Sequence, residues 1–184
     1  VGHANALIGC VNAYFDGSPM LLISGESPDR ESGLGKFQEM PEQVAMAAPV
    51  CKYARRVVDP NKLAFYLHEA FSAAISGRPG PVHLTVPMDV FEAAVDPAKV
   101  PHTAPSSALV RQSAAGSPAL VAQAAQWLAE AERPLCVAGA GAFYADAAQA
   151  LAEFAQLTDC PVVTPIWDRG AVEQPLPQFM GVIG

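Results

Sequence analysis

The sequence has few basic residues and no long apolar run, and each absence excludes a class of function. Its 11 Lys and Arg residues stand against 18 Asp and Glu residues, which gives a formal net charge of −7. Nucleic-acid binding requires a cationic face toward the phosphates, so nucleic acid is not an expected partner. No apolar stretch reaches the roughly 20 residues that span a bilayer, so no membrane association is expected.

The cysteines lack the spacing of a metal site. All four lie far apart, without a Cys-x-x-Cys pair, and have apolar or small neighbours: Cys10, Cys51, Cys136 and Cys160. Such residues are expected to be buried free thiols in a reducing cytoplasm rather than zinc ligands. We therefore predict no metal site within this chain.

The apolar content of the chain is sufficient for a packed core. Hydrophobic residues make up 51% of the sequence and charged residues 16%, which is typical of a folded chain and not of a disordered one. Residues 101–117 are rich in Pro and Ser and show no periodicity, so they are interpreted as a linker. The predicted organisation is a first domain over residues 1–100, this linker, and a second domain over residues 118–184.

The first domain opens with a predicted helix and strand. Apolar residues recur at helical spacing up to Asp16-Gly17-Ser18-Pro19, which ends the helix. Met20 to Ile23 then form an apolar run typical of a strand that is covered on both faces. Ser24 to Pro28 would form a turn at the carboxyl end of that strand, where ligands bind in open α/β sheets.

A parallel strand–helix–strand unit is predicted further along the first domain. Tyr53 to Val58 could form a short strand, and Asp59-Pro60 is typical of a helix start. Gly77 would end that helix, and Pro81 to Pro87 alternate as a strand. Parallel strands need such a helical crossover, so an α/β class is predicted.

The second domain reads as a Rossmann-like unit. A helix begins at Ser117-Pro118, and Leu135 to Ala138 and Pro161 to Thr164 are predicted strands. Between them lie a turn at Gly139-Ala140-Gly141 and a helix over Ala147 to Leu157. The turn has two of the three glycines of a dinucleotide fingerprint, so FAD or an adenine nucleotide stays open as a ligand.

Three motifs resemble, in their order and spacing, the thiamine-diphosphate-dependent enzymes of the acetolactate synthase type. They are Gly2, Asn5, Ala13-Tyr14-Phe15-Asp16, Pro19 and Gly25; then Phe37-Gln38-Glu39; then Gly77-Arg78-Pro79-Gly80-Pro81-Val82, leading into Val86-Pro87-Met88-Asp89. The resemblance implies two three-layer parallel-sheet sandwiches. Residues 1–100 would be the C-terminal part of a pyrimidine-binding domain with the thiamine-diphosphate-binding fold. Residues 118–184 would be the N-terminal part of a Rossmann-like middle domain, so that both domains would be incomplete.

The resemblance also implies roles for seven residues. They are cofactor contacts at Gly2, Asn5 and Gln38, a substrate pocket at His3 and Phe37, and a subunit interface at Tyr14 and Phe15. Five of them have a structural alternative: Asn5 could satisfy free backbone N–H groups at a helix start, Gln38 could be a solvated loop residue, and His3 could face solvent or a subunit. The aromatic pair could be ordinary core, and His83 is interpreted as a packing residue.

Two parts of the family's chemistry are expected outside this chain. In the family a Glu upstream of the Gly-rich turn hydrogen-bonds the aminopyrimidine ring, and a Gly-Asp-Gly followed by an Asn holds Mg²⁺ at the diphosphate. The sequence starts after the position of that Glu and contains no Gly-Asp-Gly. No catalytic residue is therefore expected here, and the chain is expected to be a fragment that is inactive alone.

The resemblance implies a parent enzyme that makes or breaks a carbon–carbon bond next to a carbonyl, such as a lyase or transferase acting on a 2-oxo acid. It would use thiamine diphosphate and Mg²⁺, form a homodimer or homotetramer, and work in the cytoplasm. Two alternatives remain open. One is a nucleotide- or flavin-binding module built on the turn at Gly139 to Gly141, and the other is a non-catalytic scaffold relative. The sequence does not specify the substrate.

Overall fold

A computed structural model of the chain describes residues 1–37, 39–40, 42–100, 115–172 and 175–184. The chain divides into two compact units, Val1–Gln112 and Ser113–Gly184. Of the linker predicted over residues 101–117, only the last three positions lie within the described ranges. Within those ranges, no helix is both long enough and apolar enough to cross a membrane.

The first unit alternates helices with parallel strands. Its elements are α1 (Gly2–Asp16), β1 (Met20–Glu26), α2 (Gln43–Ala47), β2 (Tyr53–Arg56), α3 (Leu63–Ile75), β3 (Pro81–Pro87) and α4 (Met88–Phe91). Helix α1 ends at Gly17, whose φ of 69° is left-handed and costs glycine little. Asp59 accepts a hydrogen bond from the Asn61 N–H at 3.0 Å and begins a short 3-10 turn before α3.

The sheet of the first unit has the strand order β1-β3-β2, and both pairings are parallel. All seven residues of the central strand β3 are buried. Strand β1 is longer than the sequence predicts, because Ser24, Gly25 and Glu26 continue the pairing with β3. As its apolar run predicts, β1 is packed on both faces: Leu21 joins the apolar cluster with α3 and Leu22 the cluster with α1 and α2, although Ile23 is 55% exposed at the edge of the described sheet.

Successive side chains of each strand point to opposite faces of this sheet, and helices pack on both faces. Val82 and Leu84 of β3 pack with Ala70 and Ala74 of α3 in one apolar cluster. On the other face, Ala54 of β2 and Leu22 of β1 pack in a second apolar cluster. This cluster includes Cys10 of α1 and Ala47 of α2. The first unit is thus a three-layer α/β/α arrangement, and the predicted α/β fold is confirmed.

The second unit repeats the parallel pattern with shorter strands. Its elements are α5 (Pro118–Glu130), β4 (Cys136–Val137), α6 (Ala140–Tyr144), α7 (Ala148–Thr158), β5 (Val162–Pro165) and β6 (Phe179–Ile183). The strand order is β4-β5-β6, all parallel, and Ala155 of α7 packs on Val162 of β5. Strand β6 was not predicted. Its pairing with β5 skips Met180 in a bulge, and the next residue, Gly181, has a φ of 115° that favours glycine.

Candidate functional site

An open pocket of about 360 Å³ lies at the carboxyl end of β1 in the first unit. Its wall includes Gly2 and His3 from the start of α1, Ser24 and Gly25 from β1, and Gln43 from α2. This is the end of a parallel sheet at which ligands bind in open α/β folds. The pocket is therefore the candidate site of the first unit.

Three polar side chains are joined behind this pocket. Ser24 Oγ lies 2.9 Å from His3 Nδ1 and 2.6 Å from His83 Nε2. The two imidazole rings have centroids 4.8 Å apart and are tilted by 47°. We call these three residues the His–Ser–His network. It joins α1, β1 and β3 through residues that lie up to 80 positions apart along the chain.

Both imidazoles of the network are buried. His3 is 7% exposed and His83 is fully buried. Burial disfavours the charged form, so it lowers the pKa of His83 to about 4, with a smaller contribution from the neighbouring His3. Burial also lowers the pKa of His3, although a polar contact in which the backbone of Gln43 is the acceptor opposes this decrease. Both rings are therefore neutral at pH 7.

A second polar chain supports the same edge of the sheet. Thr85 Oγ1 donates a hydrogen bond to Gln43 Oε1 at 2.8 Å, and Gln43 Nε2 donates to the carbonyl of Gly25 at 2.9 Å. Gln43 and Thr85 are both buried. Because a side-chain amide offers both a donor and an acceptor, Gln43 can bridge α2 to two neighbouring strands at once.

The structure brings only part of the predicted site together. Gly2 and His3 line the pocket. Asn5 is exposed on α1 and is not part of the pocket wall, and Phe37 is 91% exposed. Gln38 lies outside the described residues. The proposed cofactor and substrate roles of Asn5, Gln38 and Phe37 therefore stay predictions.

The predicted interface pair lies at the far end of α1. Tyr14 and Phe15 are 39% and 72% exposed, and their rings meet edge to face with centroids 5.7 Å apart. Their backbone carbonyls accept hydrogen bonds from the guanidinium group of Arg78, which precedes β3. Exposed aromatic rings on an anchored helix end fit an interface, and that role also stays a prediction.

The carboxylates near the pocket already have partners. Glu26 lies 2.6 Å from Arg56 Nε in an ion pair, and its side chain is 6% exposed. Glu39 accepts hydrogen bonds from the N–H groups of Gly33, Gly35 and Lys36, which lower its pKa. Among the described residues, no group of three or more His, Cys, Asp or Glu side chains could hold a metal ion.

The glycine turn of the second unit differs from a phosphate site. Gly139 follows β4, and Ala140 and Gly141 begin α6 instead of forming a separate turn. A Cβ at Gly139 would lie 3.4 Å from Asp168 Oδ2, so a carboxylate faces the turn. A carboxylate repels a diphosphate, which removes part of the case for nucleotide binding at this turn.

Sequence reasoning missed Ser24, Gln43, His83 and Thr85 as parts of the site. A signal for two of them was present: His83 and Thr85 are polar residues at alternate positions of an otherwise apolar strand, so they share one face of the sheet. Ser24 pairs with Thr85 in register, which places it diagonally beside His83. That register depends on long-range pairing and cannot be read from local sequence.

Comparison with known proteins gives three kinds of match. Residues 121–184 match the family model described as "Thiamine pyrophosphate enzyme, central domain". The whole chain is 33% identical to an acetolactate synthase from Arthrospira platensis, and 96% of it aligns at 34% identity with oxalyl-CoA decarboxylase from Escherichia coli. The chain spans 31% of the length of each of these relatives.

The third match is to a solved structure. The crystal structure of benzoylformate decarboxylase from Polynucleobacter necessarius superposes with a TM-score of 0.76 at 22% identity, over 99% of this chain and 33% of that one. At this identity the likeness shows the fold. It agrees with the α/β architecture described above.

Proposed function

Since the chain is a relative of the thiamine-pyrophosphate-dependent enzymes of the acetolactate synthase type, we propose that its first unit supplies one wall of their cofactor site. In this proposal residues 1–100 belong to the pyrimidine-binding domain and residues 118–184 to the middle domain. The observation that carries the proposal is the pocket at the carboxyl end of β1, where His3, Ser24 and Gln43 converge.

The residues of the pocket fit a flat heterocycle with mixed hydrogen-bonding edges. A Cβ added at Gly2 or Gly25 would meet no atom within 4 Å, so the rim leaves room for a ring. His3 Nε2 is buried and has no hydrogen-bond partner among the described residues. An aminopyrimidine presents both donors and acceptors, which suits an imidazole nitrogen and the backbone groups of the two glycines.

When bound, thiamine pyrophosphate supplies the electron sink for carbon–carbon bond chemistry beside a carbonyl. The residues of this chain would bind and orient its pyrimidine end. Gly2 and Gly25 admit the ring, Gln43 fixes the Gly25 carbonyl, and His3 offers a ring nitrogen. Asn5 and Gln38 are proposed to contact the cofactor and Phe37 the substrate, as the motifs imply.

The reaction we propose is decarboxylation or carboligation of a 2-oxo acid or related acyl compound, in a lyase or transferase. The acetolactate synthase and oxalyl-CoA decarboxylase relatives support this class of chemistry. We assign no Mg²⁺ ligand to this chain, because the described residues do not offer a suitable set. Since the chain spans about a third of its relatives, we expect it to be inactive alone.

We further propose that the complete enzyme is a cytoplasmic homodimer or homotetramer. The exposed Tyr14 and Phe15 support a subunit contact at the end of α1. All four cysteines are free thiols, which fits a reducing compartment. We do not extend the proposal to FAD or an adenine nucleotide, because Asp168 faces the glycine turn.

The proposal can be tested by nuclear magnetic resonance with 4-amino-2-methylpyrimidine as the probe. We expect saturable shifts of the backbone amides of Gly2, Ser24, Gly25 and Gln43, since these residues line the pocket. A Gly25→Leu variant should abolish the shifts by filling the rim, whereas Gly141→Leu, in the second unit, should leave them unchanged. Shifts confined to the second unit, or no shifts at the highest soluble concentration of the probe, would contradict the proposal.

A further inference from the structure

The carboxyl edge of the first sheet carries a charged cluster as well as the pocket. The guanidinium group of Arg56, at the end of β2, binds two carboxylates: Nε lies 2.6 Å from Glu26 Oε2, and Nη2 lies 2.9 Å from Asp29 Oδ1. Glu26 is the last residue of β1 and directly follows Gly25, which lines the pocket. The cluster therefore connects β1 and β2 to the chain that follows β1.

Asp29 is held by a second contact, which involves its backbone. Its N–H donates a hydrogen bond to Asp89 Oδ2 at 2.9 Å, and Asp89 is the second residue of α4, just after β3. Hydrogen bonds from backbone N–H groups, that of Asp29 first among them, lower the pKa of Asp89, so this carboxylate is charged at pH 7. Asp29 is thus anchored to β2 through its side chain and to the end of β3 through its backbone.

The chain after β1 leads from this anchor to the pocket. We call its described residues, 27–37 and 39–40, the wall segment, because Met40 lines the pocket. At the base of the wall segment Asp29–Glu31 form a short 3-10 turn. The anchored residue is therefore the first residue of the first turn on the way to Met40.

The outer part of the wall segment closes on itself. Lys36 forms an ion pair with Glu31 of the 3-10 turn, with Nζ 3.5 Å from Oε2. The Glu39 carboxylate accepts hydrogen bonds from three backbone N–H groups of the segment, those of Gly33, Gly35 and Lys36. These contacts connect the base of the segment to Glu39, and the residue after Glu39 is Met40.

We propose that Asp29, Arg56 and Asp89 are positioning residues for the pocket, which hold the wall segment so that Met40 forms part of the pocket wall. The Asp29 side chain is 67% exposed, and an exposed ion pair contributes little to the stability of a fold. The contact of Asp29 with Arg56 therefore orients the segment more than it stabilises the sheet. The placement of Met40 is independent of any ligand, whereas its effect on binding rests on the proposed function.

The methyl signal of Met40 in ¹³C–¹H spectra tests the positioning without a ligand. The chain has five methionines, and Met40→Leu identifies the signal. Asp29→Ala and Asp89→Ala each remove one anchor, so we expect each to shift the Met40 signal and the double variant to shift it further. Asp96→Ala is the control, because Asp96 also has one ion pair and one backbone hydrogen bond. An unchanged Met40 signal in the double variant would overturn the proposal.

Asp29→Asn separates positioning from a general loss of stability. The asparagine carbonyl oxygen accepts a hydrogen bond from Arg56 as the carboxylate does, so this variant should return the Met40 signal most of the way to its original position. Urea denaturation measures the free energy of unfolding of the same variants. A Met40 shift that follows this free energy, and not the presence of the acceptor, would make the role merely structural and overturn the proposal. If the double variant does not fold, the comparison of Asp29→Ala with Asp29→Asn decides.

Titration with 4-amino-2-methylpyrimidine distinguishes this inference from the proposed function. If the unaltered chain binds the probe, we expect binding to be about threefold weaker in Asp29→Ala and about tenfold weaker in the double variant, with no change in Asp96→Ala. If the probe does not bind but the Met40 signal shifts as expected, the proposed function fails while the positioning stands. Equal dissociation constants in the unaltered chain and the double variant would contradict the positioning and leave the proposed function supported.

Discussion

Each of the two sheets has a buried threonine near the carboxyl end of its central strand, and the two threonines differ in their partners. Thr85 in β3 donates to Gln43, whereas Thr164 in β5 has no hydrogen-bond partner among the described residues. The first unit also buries His3 and His83, while Thr164 is the only polar side chain recorded as buried in the described part of the second. Buried polar groups cost free energy unless they are paired. The comparison thus indicates that the first unit holds a paired polar site beside its apolar clusters, whereas the described part of the second buries almost only apolar side chains.

Replacing each threonine by valine should give the largest difference between the two units in the change of the free energy of unfolding. Thr85→Val leaves Gln43 Oε1 buried without a donor, so we expect a loss of about 1–3 kcal/mol in the free energy of unfolding. Thr164→Val removes a hydroxyl that makes no hydrogen bond, so it should be neutral or stabilising. Urea denaturation of the two variants beside the unaltered chain measures both effects. Equal losses would remove the distinction between the units.

Acid should weaken the first unit through His83. The pKa of His83 is lowered to about 4 in the folded chain, below the value of about 6.5 in an unfolded one. The unfolded state therefore binds more protons between these values, and the stability present above pH 6.5 is lost as the pH falls. The expected loss between pH 7 and pH 5 is about 2 kcal/mol.

His83→Gln should remove most of this dependence, and His68→Gln, on α3, is the control. The free energy of unfolding is measured by urea denaturation at pH 7, 6 and 5 for the three proteins. The interval stays above the range in which most carboxylates titrate. An unchanged pH dependence in His83→Gln would show that the buried imidazole is not its source.

The smallest expected change in stability concerns the exposed end of α1. Phe15 is 72% exposed, so Phe15→Ser should change the free energy of unfolding by no more than about 0.5 kcal/mol. It should nevertheless reduce self-association, because a large exposed aromatic ring favours contact with another surface. Leu157→Ser is the matched control, since Leu157 is 88% exposed on α7 of the second unit. Sedimentation at several concentrations measures self-association in the two variants. A greater reduction of self-association in Leu157→Ser would place the contact elsewhere.

Local patterns predicted much of the fold. The strand over Pro81 to Pro87 and the helix start at Asp59-Pro60 follow from alternation and capping, which depend on near neighbours. The extent of β1 was underestimated, because Ser24 and Gly25 are typical turn residues and their pairing with β3 is a tertiary effect. Strand β6 was missed for a similar reason: Gly181 interrupts its alternation, and its pairing with β5 is a tertiary effect.

The candidate site was less accessible to sequence reasoning than the fold. Gly2 and His3 could be placed from a local motif, and both line the pocket. His83 was interpreted as packing, because its alternation with Thr85 indicates a shared polar face but not which residue of another strand lies beside it. Its partner Ser24 is 59 positions away, and only the register of β1 with β3 brings the two together. The spacing within a local motif does not predict a contact between residues so far apart in the chain.

Helix α1 is attached to the sheet at both ends. His3 near its start bonds to Ser24, and the carbonyls of Tyr14 and Phe15 at its end accept from Arg78, just before β3. With 15 residues the helix is about 22 Å long. The position of Phe15 is therefore fixed relative to His3 and the pocket, because the same rigid helix carries both residues.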